Sequence, residues 1–242
     1  MSFAGCRVYE HDSVHAITGK AIRPGGIALT EHALSHCSLK PGASVLDVGC
    51  GQAATIEHLT DTRDVHAIGL DLSRKLLLAG RRRRQDLSLA QGTGDGLPFA
   101  TGRFDVLLAE CCLSLIDDRD GALVEFARVL RAGGTLILSD IYARNAEQAP
   151  VVRGAPLACC LLNALSGEWL QSQLPQHKLR ITLWEDHTVS LRNLAGQIVF
   201  AYGSLQAFWQ ALVGDSAQVQ RLASTTARLK PGYFLLLAQK ET

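Results

Sequence analysis

Short apolar runs alternate with amphipathic stretches through the first 140 residues of the chain. The run ASVLDVG (43–49) is apolar up to an aspartate and predicts a buried strand, and AATIEHLT (53–60) opens a helix. VHAIGLDLS (65–73) predicts a second strand, and SRKLLLAGRRRRQD (73–86) a helix with Ser73 as its N-cap. LSLAQGT (87–93) predicts a short strand and FDVLLAE (104–110) a longer one. DRDGALVEFARVL (118–130) is amphipathic, and the AGG that follows at 132–134 ends that helix in this reading. TLILSDIY (135–142) predicts the next strand. After a less regular stretch to residue 165, GEWLQSQLPQ predicts a helix and KLRITLWEDH (178–187) a strand. SLRNLAGQIVFAYGSLQAFWQALV predicts one long helical region, and GYFLLLAQK (232–240) a closing strand behind the Pro231–Gly232 turn signal. Strands alternating with helices imply a mostly parallel α/β sheet with helices on both faces.

Composition adds exclusions. The chain has 242 residues, 47% hydrophobic and 19% charged, with a net charge of +1, so no electrostatic case exists for a nucleic-acid partner. The N-terminal MSFAGCRVYEHDSVH lacks the apolar stretch of a signal peptide, and the most apolar segment, around 155–165, is too short to span a bilayer as a helix. A cytoplasmic protein with no membrane partner is the expectation. Seven cysteines include two adjacent pairs, Cys111-Cys112 and Cys159-Cys160, with no CxxC spacing, which reads as reduced thiols, most of them small buried hydrophobes. Adjacent residues make a strained disulfide ring, which disfavours bonding within either pair. The run Arg81–Arg84 reads as a solvated helix face near a helix C-terminus, because consecutive residues point around the cylinder.

The chemistry concentrates at three successive strand ends. Asp47, Gly49 and Gly51 form an Asp-x-Gly-x-Gly turn after the first strand, and glycine lets backbone approach a ligand closely. Parallel α/β sheets bind ligands at the carboxyl ends of their strands. Asp71 ends the second strand, where a carboxylate can accept from ribose hydroxyls, with Leu72 beside it. Asp95, in GDGLPF after the third strand, is placed to reach an adenine amino group. A dinucleotide fingerprint would continue to a third glycine where Ala54 stands.

The ordered set VLDVGCG, GLDLS, GDGLPFATGRFDVLLAE and ALVEFARVLRAGGTLILSD resembles class I S-adenosylmethionine-dependent methyltransferases over about residues 20–142. The resemblance implies a Rossmann-like seven-stranded, mostly parallel sheet whose last strand, GYFLLLAQK, is antiparallel. It implies S-adenosylmethionine as cofactor and S-adenosylhomocysteine as product. Asp47, Gly49 and Gly51 would lie by the methionine part, Asp71 at the ribose, Asp95 and Gly96 at the adenine, and Glu110 on the active-site side. Ala53 stands where that family often has a third glycine. One domain is expected over 1–242: an N-terminal helical lid (1–40), a cofactor-binding core (41–142), and an acceptor-side segment with the C-terminal strands (143–242). In the lid, Tyr9, Gly19 and Arg23 are candidates for the cofactor, with an arginine suited to the methionine carboxylate.

ECCLSLIDD, the SDIYAR segment and the later ACCLLNAL resemble the arsenite methyltransferases more narrowly. That family has a cysteine at the position of Cys111 and an arsenic-binding thiol at the position of Cys160. This chain lacks the family's cysteine just after the glycine loop and has none after Cys160, so a three-thiol site would need Cys37, Cys112 or Cys159. Glu110, Cys111 and Cys160 are therefore the candidate catalytic residues, for a small-molecule acceptor that includes a thiol, selenol or metalloid among its options. The alternative is a non-catalytic S-adenosylmethionine-binding sensor or partner subunit, and a homodimer or an unknown protein partner stays open. His11, His15 and His187 are candidate bases or ligands, Trp184–His187 could face the acceptor, and no histidine pair gives a metal-ligand spacing that predicts a metal.

Overall fold

The computed structural model of the chain describes residues 6–145 and 157–242. Seven strands form one sheet: β1 (Ala43–Val48), β2 (Val65–Asp71), β3 (Leu89–Gln91), β4 (Phe104–Glu110), β5 (Leu130–Ala143), β6 (Leu179–Asp186) and β7 (Pro231–Lys240). Their order is β3-β2-β1-β4-β5-β7-β6, and only β7 runs antiparallel to its neighbours. This is the Rossmann-like arrangement expected, with helices α1 (Asp12–Thr18) and α2 (Gly26–Ser35) before β1.

Period-two side-chain alternation fills both faces of the sheet. Leu46 and Val48 of β1 and Leu107 and Ala109 of β4 pack on one face, against Ala122, Leu123 and Phe126 of α5 (Arg119–Val129). Val45, Val106 and Leu108 point to the other face and meet Leu29, Ala33 and Leu34 of α2. Both faces being covered explains why these strands read as nearly unbroken apolar runs. The order reverses between β1 and β4, so the loops leaving those strands diverge and open a crevice there.

Local signals account for several boundaries. Ser73 caps α4 (Arg74–Arg83) by accepting the Leu76 N–H at 3.2 Å. The arginine run is spent on neighbours: Arg83 donates to Glu57 at 2.9 Å and Arg84 to Asp86 at 2.9 Å. Two expectations need correction. Ala132, Gly133 and Gly134 do not end α5, which stops at Val129 and passes directly into β5. They shape the start of that strand, where the register with β4 shifts, and a Cβ on Gly134 would lie 2.9 Å from the Arg131 carbonyl. The long helical region is two helices, α7 (Thr188–Tyr202) and α8 (Leu205–Val213), broken at Gly203 with φ +80°. A further helix, α9 (Ser216–Leu229), is capped by Asp215; α3 (Ala54–Thr62) and α6 (Gly167–Gln176) complete the set. Among the described residues no helix is long and apolar enough to cross a membrane.

Candidate active site

A cavity of about 340 Å³ lies at the carboxyl ends of β1, β2 and β4. Its floor is the loop Gly49–Gln52. Gly49 has φ +76°, and a Cβ there would sit 2.5 Å from the Cys112 Cβ, so both conformation and space require glycine. Gly51 has φ +55° and open space where a Cβ would point. Ala53 is also left-handed, at φ +63°, which explains why glycine is common at this place in similar turns.

Asp71 organises the loop from the end of β2. Its Oδ2 accepts the Gly51 N–H at 2.7 Å and its Oδ1 the Ser73 N–H at 2.7 Å. Both bonds hold backbone that borders the cavity. Asp71→Ala is expected to weaken, at least tenfold or about 1.4 kcal/mol, binding of the S-adenosylmethionine that the sequence resemblance implies. Calorimetry on the purified protein measures this, and an unchanged affinity would remove Asp71 from the binding site.

Beneath the loop lies a charged cluster. Arg23 Nη2 is 2.9 Å from Glu110 Oε2, with the two side chains only 9% and 4% exposed. Glu110 also accepts from Thr30 Oγ1 at 2.8 Å and Thr55 Oγ1 at 3.3 Å. Arg23 donates to the same two hydroxyls, at 2.5 Å to Thr30 and 2.9 Å to Thr55. Burial opposes the Arg23 charge, yet attraction to Glu110 and then Asp47 outweighs it and raises the guanidinium further. Asp47 is pushed well above the usual carboxylate range, first by burial and then by the Glu110 charge. Arg23 Nε is buried without a hydrogen-bond partner among the described residues, a donor suited to one further carboxylate oxygen.

The thiols sort themselves across the adjacent pairs. Cys111 Sγ and Cys160 Sγ are 3.1 Å apart, and the Tyr9 hydroxyl is 2.5 Å from Cys160 Sγ. Cys112 turns the other way and donates to the Val48 carbonyl at 3.1 Å, while Cys159 packs with Val8, Phe208 and Leu222. Cys111 holds φ +60°, a conformation a non-glycine residue adopts at a cost of about 1 kcal/mol or more. Its thiol is raised well above the ordinary value, first by the Cys160 hydrogen bond and then by burial. Asp140 lies within reach of both sulfurs. Burial raises its carboxyl to about 6 against the pull of the Ser114 and Ile141 bonds.

Of the residues expected at the site, Tyr9, Arg23, Gly49, Gly51, Asp71, Leu72, Asp95, Glu110 and Cys111 line the cavity. Asp47, Gly19, Gly96 and Cys160 do not. Asp47 is buried under the loop, Gly19 ends α1, and Gly96 turns back to the Thr93 carbonyl at 3.4 Å. Cys160 is reached through Tyr9 and Cys111. Trp184 to His187 are not part of the wall, because β6 is the far edge of the sheet; Trp184 stacks on Phe234 instead. Sequence reasoning missed Thr30 and Thr55, whose signal is a polar residue on an otherwise apolar helix face, and it missed Asp140 behind the thiols.

Residues 46–138 match a family model described as a methyltransferase domain. Over 130 residues the chain is 32% identical to a phosphoethanolamine N-methyltransferase of Triticum aestivum, covering 51% of this chain and 25% of that protein. Over 100 residues it is 34% identical to a demethylmenaquinone methyltransferase of Renibacterium salmoninarum, covering 41% of this chain and 42% of that protein. The chain thus spans less than half the length of these relatives. The solved structure of Haemonchus contortus phosphoethanolamine N-methyltransferase 2 in complex with S-adenosyl-L-methionine superposes with a TM-score of 0.72 at 16% identity, covering 97% of this chain and 57% of that one. At that identity the likeness establishes the fold.

Proposed function

We propose that this chain, whose core is a class I methyltransferase domain, transfers a methyl group from S-adenosylmethionine to a small acceptor with a soft donor atom: a thiol, a selenol or a trivalent metalloid. The acceptor reading rests on one observation, the Cys111 thiol on the cavity wall meeting the Cys160 thiol behind it at 3.1 Å. A soft Lewis-acidic atom such as trivalent arsenic prefers sulfur partners, and two converging sulfurs suit it better than a hydroxyl or an amine acceptor; a thiol or selenol would instead lie against them as a polarisable neighbour.

Three features fit the cofactor. The Gly51 face is open, Asp71 stands at the end of β2, and the Arg23 Nε is an unsatisfied buried donor. When bound, S-adenosylmethionine supplies a methyl carbon on a sulfonium, which the acceptor's lone pair displaces in line, leaving neutral S-adenosylhomocysteine. In this reading Arg23 receives the methionine carboxylate, Asp71 the ribose and Asp95 the adenine. Glu110 keeps Arg23 in position. Tyr9 lies over Cys160 and helps exclude water from the reacting end. The chain's work is then alignment rather than proton removal. An oxygen or nitrogen acceptor often needs a general base; no histidine lines the cavity among the described residues, and Glu110 is committed to Arg23.

The test is incubation of the reduced protein with methyl-labelled S-adenosylmethionine and a panel of arsenite, selenite, sulfide, small thiols, phosphoethanolamine and other nitrogen or oxygen acceptors. Label is expected on sulfur, selenium or arsenic. Label only on oxygen or nitrogen would overturn the soft acceptor and keep the enzyme. No label, with cofactor binding intact, would favour the sensor or partner-subunit reading.

A further inference from the structure

Away from the cavity, three histidines and a glutamate converge from two ends of the sequence. His32 lies on α2 and His36, four residues on, caps its C-terminus, so they lie along one side, with ring centroids 5.1 Å apart. Glu185, near the end of β6, and His187, just beyond it, approach from the other side. The Nε2 atoms of His32 and of His187 each lie 2.8 Å from the same oxygen, Oε2 of Glu185. Ligand atoms of His32, His36 and Glu185 all fall within 4.8 Å of one another. The His32, Glu185 and His187 side chains are 42%, 31% and 24% exposed, which leaves an ion a way in from solvent.

We propose that His32, His36, Glu185 and His187 bind a divalent transition-metal ion of zinc-like preference. Imidazole nitrogens with one carboxylate oxygen are a zinc-type donor set. With metal–ligand bonds of about 2.0–2.2 Å, a tetrahedral site separates its donors by about 3.3–3.5 Å. For His32 and His187 against Glu185, reaching that spacing from 2.8 Å needs a shift of well under 1 Å, while the His36 nitrogen closes in from within 4.8 Å of the His32 and Glu185 ligand atoms. A polar cluster that only shared protons would be complete with His32, Glu185 and His187. His36, edge-on to His32, brings the further donor that an ion uses.

The consequence is mechanical. Such an ion would fasten α2 to the edge of the sheet, and α2 carries Thr30, which bonds Glu110 and Arg23 under the cofactor loop. The site would steady the wall of the cavity without joining it, since none of the four residues lines that cavity.

The thiol pair with Asp140 is a second possible ligand group, so the test is made in a Cys111→Ser/Cys160→Ser background. Zinc titration by calorimetry is expected to give one ion per chain in that background. Cobalt substitution is expected to give ligand-field bands without a thiolate charge-transfer band, and zinc is expected to raise the melting temperature. His36→Ala, at an exposed position, is expected to weaken zinc binding at least tenfold, about 1.4 kcal/mol, and His36→Ala/Glu185→Gln to abolish it. Absence of binding once the thiols are gone, or binding unchanged by the histidine and glutamate substitutions, overturns the proposal.

Discussion

Cys160→Ser is expected to lower turnover of a soft acceptor at least a hundredfold, about 2.7 kcal/mol, while S-adenosylmethionine affinity changes by less than roughly twofold. The substitution keeps the shape of the side chain and exchanges a soft, polarisable sulfur for a hard oxygen. Cys160 does not line the cofactor cavity, so its loss leaves the glycine loop, Asp71 and Arg23 in place. The same loss of turnover is expected for Cys160→Ala and for Cys111→Ser if the acceptor is held by the two sulfurs as proposed, with the cofactor-affinity control read on Cys160 alone because Cys111 lines the cavity. Cys159→Ala is the control: that neighbouring thiol packs in a different apolar cluster and is expected to lose some stability but little activity. Rates on the acceptor identified by the labelling panel, with cofactor affinity measured in parallel, decide the matter. Full activity in Cys160→Ser would reduce the pair to packing.

Arg23→Met is expected to cost about 3–5 kcal/mol of folding stability at neutral pH, a fall in melting temperature of roughly 10 °C. Removing one partner of a buried ion pair leaves the other charge without compensation. Glu110 would keep only the Thr30 and Thr55 hydroxyls as donors, in a pocket that also holds the Asp47 carboxyl. Glu110→Gln added to Arg23→Met is expected to recover most of the loss, because the neutral amide no longer needs a cation. Denaturant titration of the two variants measures both effects. If the double variant is as unstable as the single one, the cost comes from lost arginine packing and not from the stranded charge.

Much of the fold was legible because its cause is local and periodic. Apolar runs around Asp47 and up to Glu110 mark strands buried on both faces, the run ending in Asp71 marks a half-buried one, and their alternation with amphipathic helices leaves little choice but a parallel sheet. Errors fell where one residue type serves two purposes. Glycine can end a helix or shape a strand, and at 133–134 it does the second, because a Cβ on Gly134 would come within about 3 Å of the Arg131 and Asp105 carbonyls. The break at Gly203 was missed because apolar positions continue on both sides of it.

Sequence by itself determined the alternation of strands and helices through residue 142 and the closing strand, the glycine turn at Asp47–Gly51 and the acids at successive strand ends, since each follows from chain-local conformation and the period of burial. Tertiary structure alone decided which cysteine of each adjacent pair faces the other, that Arg23 meets Glu110, and that His32 and His36 stand opposite Glu185 and His187. These meetings join residues far apart in the chain. They depend on how α2 lies against the sheet and on a left-handed Cys111, and no pattern of neighbouring residues carries that information.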